Sequence, residues 1–451
     1  MASDLLGIGK SGAIAARIAL DVTAQNITNA STDGYVRRSV QLAEASASGG
    51  YGRVGDVSLS GVRLDKVVRN ADMFRQSEVR RTGADAARAD AEVTGLQNIE
   101  DALEQSGAYD AVVKFEGSLQ QLASDPTDTA LRASVVESAR TMTRTMNIAA
   151  QSLDQAGQGL QFEATDGVNQ VNTLAAELGR VNLRLARAAD ASSDQTTLLD
   201  QRDSLLEKLS QYTDVTTTFA ADDTVTVTMG GSPGQTLVAG GTASPLAMTI
   251  SPTDGTLSFT VGGNAVTPVG GSLAGKSQAL VKLDEIRTGL DAIAKSVADT
   301  VNGAQANGVD LAGVDGTPMF NGTTAATIGL AFSDGSKIAT APKATPPAVT
   351  PPNSRDQTNL AALQTALQSA DPAGKTDSLI FNISSAVQGR TVTRDALESI
   401  ANTAKITLSA QAGVSLDNEA ANLVRYQQAF QASGRIMQVA QDTFNSILSL
   451  K

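Results

Sequence analysis

Leu416-Asp-Asn-Glu-Ala-Ala-Asn-Leu-Val-Arg-Tyr-Gln-Gln-Ala-Phe430-Gln-Ala-Ser-Gly-Arg-Ile-Met-Gln-Val-Ala440-Gln-Asp-Thr-Phe-Asn-Ser-Ile-Leu448 is the stretch from which the fold can be read. Leu416, Ala420, Leu423, Gln427, Phe430, Gly434, Met437, Gln441, Phe444 and Leu448 recur in alternating steps of four and three. That is a heptad seam, and a helix carrying one buries it against another helix. Gly434 on the seam allows close approach at a cost of roughly 1 kcal/mol. Gln427 and Gln441 restrict register and partner. At the other end of the chain, Ile8, Ile14, Ile18, Val22 and Ile27 line a looser apolar face among small Ala and Gly. Two seams so far apart in sequence predict termini that pair. A helix pair of this length is marginal by itself, so the two faces are expected to form an assembly interface with neighbouring copies. Periodicity alone fits an ordinary bundle helix equally well.

Working inward, residues 1–30 read as a helix and 31–65 as a loop or small hairpin, with alternation in Val57-Ser-Leu-Ser-Gly-Val62. Helical spacing holds from about 67 to 212. Val171, Leu174, Leu178, Val181, Leu185 and Ala188 form a second seam, and a break is expected at Ala191–Asp194. At Asp214 the period changes: Val225, Val227 and Met229 alternate with threonines, and Thr253-Asp-Gly255 signals a turn. Helix returns over 276–301. Residues 341–352 hold five of the twelve prolines and read as a stiff extended connector. Further helices are expected at 355–370, 376–411 and 415–449. The pattern predicts a mainly α chain with an inserted β domain, elongated and nested, its N- and C-terminal helices paired in a coiled-coil-like terminal domain beside a long-helix bundle. The expected units are 1–66 with 412–451 (terminal assembly domain), 67–213 with 271–302 and 353–411 (helical bundle), 214–270 (small outer β domain, expected to be modular) and 303–352 (Gly/Pro-rich connecting segment).

Composition excludes several chemistries. The 451 residues contain no Cys, no His and no Trp. Disulfides, thiolate metal sites, Ser-His-Asp triads and Cys-His dyads are therefore impossible. No metal, cofactor or catalytic residue is expected, and the chain reads as a non-enzyme. The net charge of −12 is uneven: residues 1–40 carry +1, residues 412–451 carry 0, and the body carries −13. Near-neutral ends suit helices crowded into a shared assembly, and an acidic body argues against nucleic acid. No basic n-region precedes the first apolar stretch and no run of 18 apolar residues exists, so neither a cleaved signal nor membrane insertion is expected. These facts alone read as cytoplasmic.

One motif points elsewhere. Gly270-Gly-Ser-Leu-Ala-Gly-Lys276-Ser277 matches G-x-x-x-x-G-K-[ST], and Ile328–Asp334 offers an apolar strand ending in an acid. In a P-loop nucleotide-binding protein, backbone N–H groups would cradle phosphate and Lys276 would reach its oxygens. The competing reading is a Gly-rich hinge, with Ser272 or Ser277 capping the returning helix. The Asp222-Asp223 pair reads as a turn, and Arg37-Arg38 beside Tyr35 as a solvated or interface pair.

Asn26-Ile-Thr-Asn29 followed by Gly34-Tyr35 resembles the N-terminal signature of the bacterial flagellar axial proteins, the rod, hook and hook-associated group. Leu198-Leu-Asp-Gln-Arg-Asp203 and Gly413-Val-Ser-Leu-Asp417 are similar to the hook-associated protein 1 family of the hook–filament junction. The resemblance covers both ends and the helical shoulders and fades over 214–270 and 303–355. The chain also looks short for that family. The resemblance implies a structural subunit that is secreted by flagellar type III export, self-assembles through its terminal helices and lies in the extracellular flagellum. Its implied partners are neighbouring copies, the hook protein, a second hook-associated protein or flagellin, and an export chaperone. Another hook or rod subunit is the alternative within the class.

Overall fold

The structure is a computed structural model, and it describes residues 2–32, 34–46, 59–188, 193–346 and 348–448. Val57 and Ser58, and Ala191 and Ser192 of the expected break at Ala191–Asp194, lie outside the described residues. Helix α1 (Ala2–Thr28) is followed by an antiparallel hairpin of β1 (Arg38–Ser46) and β2 (Leu59–Arg69). β2 carries the first unit to Arg69, three residues past the expected boundary at 66. Asp72 then caps α2 (Met73–Glu104), its carboxylate accepting from the amides of Phe74 and Arg75. α3 (Ala108–Leu122) and α4 (Thr129–Leu185) follow. At 57 residues α4 is about 85 Å long. α5 (Ser193–Tyr212) leads into the sheets, and α6 (Gly271–Asn307) leaves them. α7 (Thr358–Ala370), α8 (Pro372–Ala412) and α9 (Leu416–Leu448) complete the chain.

Two apolar cores lie in series along α4. Its first half packs Val135, Met142, Met146 and Leu153 with Ile99, Phe115, Leu290 and Val297. Its second half packs Val171, Leu178 and Leu185 with Leu198, Leu206 and Leu209 of α5. Among the described residues, no other helix contributes this much to both cores.

The β region comprises two antiparallel sheets. β3 (Thr216–Phe219), β4 (Val225–Met229), β5 (Gln235–Ala239) and β6 (Thr242–Ala243) form one, in chain order. β7 (Leu246–Ile250), β8 (Leu257–Val261) and β9 (Asn264–Val266) form the other. The period-two pattern is seen in β4, where Val225, Val227 and Met229 are buried. Two asparagines of α4 staple one sheet each. Asn182 pairs with both backbone groups of Val225 and with Gly240 O, and Asn172 pairs with both backbone groups of Leu246, all at 2.8–3.0 Å. The sheets are not modular as the sequence suggested. Val225, Val227, Leu237, Phe259 and Val261 belong to the same apolar cluster as α4, α5 and Leu273 of α6. Alternation reports which strand face is buried but not which element buries it.

Residues 303–352 also differ from the expected connector. α6 runs on to Asn307, and Met319, Phe320, Ala325, Ile328 and Ile338 enter the first core. Phe320 meets Phe115 edge-on with ring centres 5.8 Å apart. Arg132, fully buried on α4, fastens this cap. It donates to the carbonyls of Pro126, Gly335 and Ile338 and to Thr340 Oγ1 at 2.6–3.1 Å. Those carbonyls are the orphans a short-stranded, Gly-rich segment leaves inside a core, and a guanidinium supplies enough donors for them.

Excising residues 215–269 behind a short Gly/Ser bridge would uncover Leu178, Leu198, Leu206 and Leu209, each worth about 1.5–3 kcal/mol buried. The excised chain should lose the cooperative melt of its α4–α5 half. A sharp transition by circular dichroism, at the full chain's midpoint, would contradict the shared core.

Candidate functional site: the paired termini and their joint to the bundle

α1 and α9 pack together, and α1 also rests on the β1–β2 hairpin. The close approach comes from α1. A Cβ built at Gly9 would lie 2.7 Å from Met437 Cγ and 3.2 Å from Ser433 O, and one at Gly12 would lie 2.8 Å from Ser433 Oγ. Gly434, expected to provide that approach, has no neighbour within 4 Å of the same position. On α9 the buried positions are Glu419 and Ala440, with Leu423, Tyr426, Ser433, Gly434 and Met437 half-buried. The heptad seam as read from sequence is therefore only partly covered by α1: Met437 meets Gly9, and Leu423 and Gly434 are half-buried. Leu416, Ala420, Gln427, Phe430, Gln441 and Phe444 are exposed, Phe430 by 44% and Phe444 by 55%. The side chain of Leu448 lies outside the described ones. On α1, Val22 is buried, Ile8, Ile18 and Ile27 are half-buried, and Ile14 is exposed, while Ala15, Ala16, Ala19 and Asn26 form the buried line. Small residues of α1 let α9 approach closely, and the larger seam residues Phe430 and Phe444 stay partly exposed. A repeat of four and three marks an apolar line without saying whether the partner on it is the same chain.

The motif residues build the turn after α1. Asn26 is buried: its Nδ2 donates to Arg38 O at 2.9 Å, and its Oδ1 accepts from Tyr35 Oη at 2.9 Å and Arg38 N at 3.0 Å. Burial pushes the Tyr35 phenol up, which keeps it a proton donor to Asn26. Asn29 donates to Gln25 O within the last turn of α1, and Gly34 takes a positive φ of 76°. Asp33 lies outside the described residues. Arg38 is not a solvated pair with Arg37: it stands 5.2 Å from the Tyr35 ring centre and turns inward.

It turns toward α5. Arg38 meets Asp200 at 3.0 Å, and Arg69 of β2 meets Asp200 at 2.8 Å and Asp203 at 2.9 Å. Arg202 meets Asp203 at 2.8 Å, donates to Asp223 O at 2.8 Å and lies over the Phe219 ring. Gln76 of α2 donates to Asp203 at 2.9 Å. The Leu198–Asp203 motif is thus the joint where hairpin, bundle and sheet meet. The motif is visible in the sequence but its hairpin partners are not, because Arg38 and Arg69 stand 162 and 134 residues away from the carboxylates they meet. Among the described residues, four buried side-chain polar atoms lack a hydrogen bond, and all belong here: Arg38 Nε, Arg69 Nε, Gln76 Oε1 and Asp200 Oδ1. Arg69 Nε and Asp200 Oδ1 attract as charges but are not aligned as a hydrogen bond.

Gly270–Ser277 folds differently from a phosphate loop. α6 begins at Gly271, with no side chain capping it, neither Ser272 nor Ser277. A Cβ at Gly275 would meet Arg88 O at 2.2 Å and Glu92 N at 2.8 Å, so α2 fills the space a phosphate would need. Lys276 points to Glu163 at 3.2 Å. The acid ending the Ile328–Asp334 stretch caps a 3-10 turn instead, accepting from Ser336 N. Among the described residues no group of three or more acidic side chains could hold a metal ion, and no helix is long and apolar enough to cross a membrane.

With both ends paired on one another, a hairpin behind them and a bundle nested between, the chain can be set beside known proteins. Residues 6–35 match the flagella basal body rod protein model, and residues 409–450 the C-terminal model of the flagellar basal body rod FlgEFG proteins. These matches fall on α1 and α9 and put the chain in the class of bacterial flagellar axial proteins. Residues 96–320 match the helical-domain model of the flagellar hook-associated protein FlgK. The chain belongs to that hook-associated protein family. It is 28% identical over 337 residues to flagellar hook-associated protein 1 of Salmonella typhimurium, covering 71% of this chain and 59% of that protein. The Bacillus subtilis protein of the same name is 28% identical over 228 residues, covering 48% and 44%. The chain thus spans about three-fifths, or less, of the curated relatives it matches. The flagellar hook junction protein FlgK from Burkholderia pseudomallei shares its fold, with a TM-score of 0.64 at 17% identity over 74% of this chain and 99% of that structure.

The two joint carboxylates respond oppositely to acid. Burial alone would raise Asp203, but the Arg202 and Arg69 guanidiniums outweigh it and hold the carboxyl below its usual range. Its stabilisation is complete above the unfolded value of about 3.9 and is lost as pH falls through the lower native value. Burial raises Asp200 despite Arg69 and Arg38, so its proton is favoured in the fold and stability declines as pH rises through its native value. Asp203→Asn should cost about 3–5 kcal/mol and speed amide exchange across α1 and the hairpin. Asp200→Asn should cost clearly less; equal thermal shifts for the two variants would refute this assignment. Lys276→Ala should lie within about 0.5 kcal/mol of wild type, and ATP turnover abolished by that change would restore the phosphate-loop reading.

Proposed function

We propose that this chain is a structural, non-catalytic subunit of the bacterial flagellum that self-assembles through its terminal helices and links hook to filament. In this reading, residues 1–66 with 412–451 are the assembly domain. Residues 67–213, 271–302 and 353–411 form the next shell, and 214–270 lie outward. The observation that carries the reading is the apolar surface α9 leaves open: in the single chain, Leu416, Val424, Phe430, Val439 and Phe444 stay exposed although α1 already packs on that helix. Monomeric proteins rarely leave so much apolar surface uncovered on one element. The names of the relatives, hook-associated and hook junction proteins, support the junction role. Another hook or rod subunit is disfavoured by the match of residues 96–320 to the hook-associated helical domain.

The assembly interface is proposed to comprise Ile8, Ile14, Ile18, Val22, Ile27, Leu416, Leu423, Gln427, Phe430, Gly434, Met437, Phe444 and Leu448. Asn26, Asn29, Gly34 and Tyr35 shape the turn behind them. Partners are neighbouring copies, the hook protein, a second hook-associated protein or flagellin, and an export chaperone. The location is the extracellular flagellum, at the hook–filament junction. Neither nucleic acid nor a cofactor enters this reading.

Phe430→Asp tests it. Because the ring is already 44% exposed, the monomer should lose no more than about 1 kcal/mol. Burying the carboxylate between copies would cost several kcal/mol. Cells carrying the variant should shed filament protein into the medium while the purified chain melts as wild type does. A monomer unfolded by the substitution would show that Phe430 belongs to the chain's own core.

A further inference from the structure

Glu419, in the first turn of α9, is a buried carboxylate without a partner. Only 3% of the residue is exposed, and among the described residues neither a cation nor a hydrogen-bond donor meets its oxygens. Burial first, then the charges of Asp200 and Glu419, raise the Tyr35 phenol against the pull of Arg38, so Glu419 lies beside the turn that follows α1. Its oxygens are not sealed, however. Among the described residues, the sealed side-chain atoms without a hydrogen bond are the four at the α5 joint. The carboxylate thus sits at the floor of a narrow opening that a long side chain can enter. Burial disfavours an unpaired charge, so Glu419 costs the single chain stability.

The cations of the chain's own first helix do not reach it. Gly9 faces Met437 and Gly12 faces Ser433, so α1 and α9 run antiparallel and Glu419 falls level with the C-terminal end of α1, beyond Lys10 and Arg17. Lys10, Ile14, Arg17 and Asp21, spaced by four, three and four, form the outward line of α1, and all are exposed. Among the described residues Arg17 has neither an ion pair nor a hydrogen bond. We propose that Arg17 of a neighbouring copy enters the opening and binds Glu419. This rests on the self-assembly reading and names one contact within it. A guanidinium presents two parallel donors to a carboxylate whose two oxygens are both unbonded, which an ammonium such as that of Lys10 does not. Apolar company is matched on both sides. Ile14 stands three residues before Arg17 and is 44% exposed, and Leu416 stands three residues before Glu419 and is 55% exposed. Covering the pair with those side chains excludes water and strengthens it. Each copy carries both halves, so the contact is heterologous and repeats from copy to copy instead of closing as a dimer.

Glu419→Gln, Arg17→Gln and the double variant remove the two charges singly and together. The purified Glu419→Gln chain should melt at or above the wild-type midpoint, since the substitution removes an unpaired buried charge. In cells lacking their own copy, each single variant should shed filament protein into the medium. The double variant should shed no more than the worse single, because partners removed together leave no charge stranded. A lowered midpoint for Glu419→Gln would mean that the carboxylate is bonded within its own chain, and would overturn the proposal. So would wild-type filament attachment in either single variant, or losses that add in the double. If the wild-type chain itself fails to attach filaments in those cells, the junction reading falls instead. The contact is then decided on concentrated purified chain carrying Arg17→Cys with Ala420→Cys, in a protein otherwise free of cysteine. A ladder of bismaleimide-linked dimers, trimers and higher species supports it, and the absence of a ladder refutes it.

Discussion

Two carboxylates on one turn of α5 hold the molecule's outer parts in relation to each other. Asp200 and Asp203 face Arg38 and Arg69 of the hairpin, Gln76 of α2 and Arg202 of their own helix. A buried network of this kind stabilises little against an apolar replacement, yet breaking it is expensive because it strands charge away from water. It therefore specifies one arrangement more than it strengthens it. The hairpin, the turn built on Asn26 and α1 all inherit their orientation from that arrangement. The incomplete hydrogen bonding of Arg38 Nε, Arg69 Nε, Gln76 Oε1 and Asp200 Oδ1 shows that the joint is held by charge as much as by geometry.

The bundle obeys the opposite logic. α4 carries two apolar cores and staples both sheets through single asparagines, so bundle and β region share one interior. The cap over 308–342 is fastened by one arginine that satisfies backbone carbonyls and, among the described residues, meets no carboxylate within ion-pairing distance. In both places a polar side chain reaches irregular backbone that could not otherwise be buried.

Much of the helical architecture was legible because periodicity is a local property. The heptad steps in 171–188, the alternation at Val225–Met229 and the return to helix near Gly271 all report on neighbours a few residues away. What was illegible depends on distant partners. The α9 spacing marks an apolar line, but Gly9 and Gly12 on α1 decide which side of α9 is covered. Arg38 looks like half of a surface pair until Asp200 is placed beside it. Proline density made 341–352 read as a connector, although Met319, Phe320 and Ile338 just before it are core residues. The G-x-x-x-x-G-K-S pattern misled for a related reason: the same small residue suits a phosphate cradle and a tight helix crossing, and only the neighbour at Gly275 tells them apart.

The pairing of α1 with α9 also has a consequence in time. Its contacts span nearly the whole chain, whereas each bundle core joins nearer segments. Every other element lies between α1 and α9 in the chain, so during synthesis the first helix waits longest for its partner. A chain built this way passes through a stage with α1 made and unpaired, and whatever meets it then competes directly with the chain's own closure.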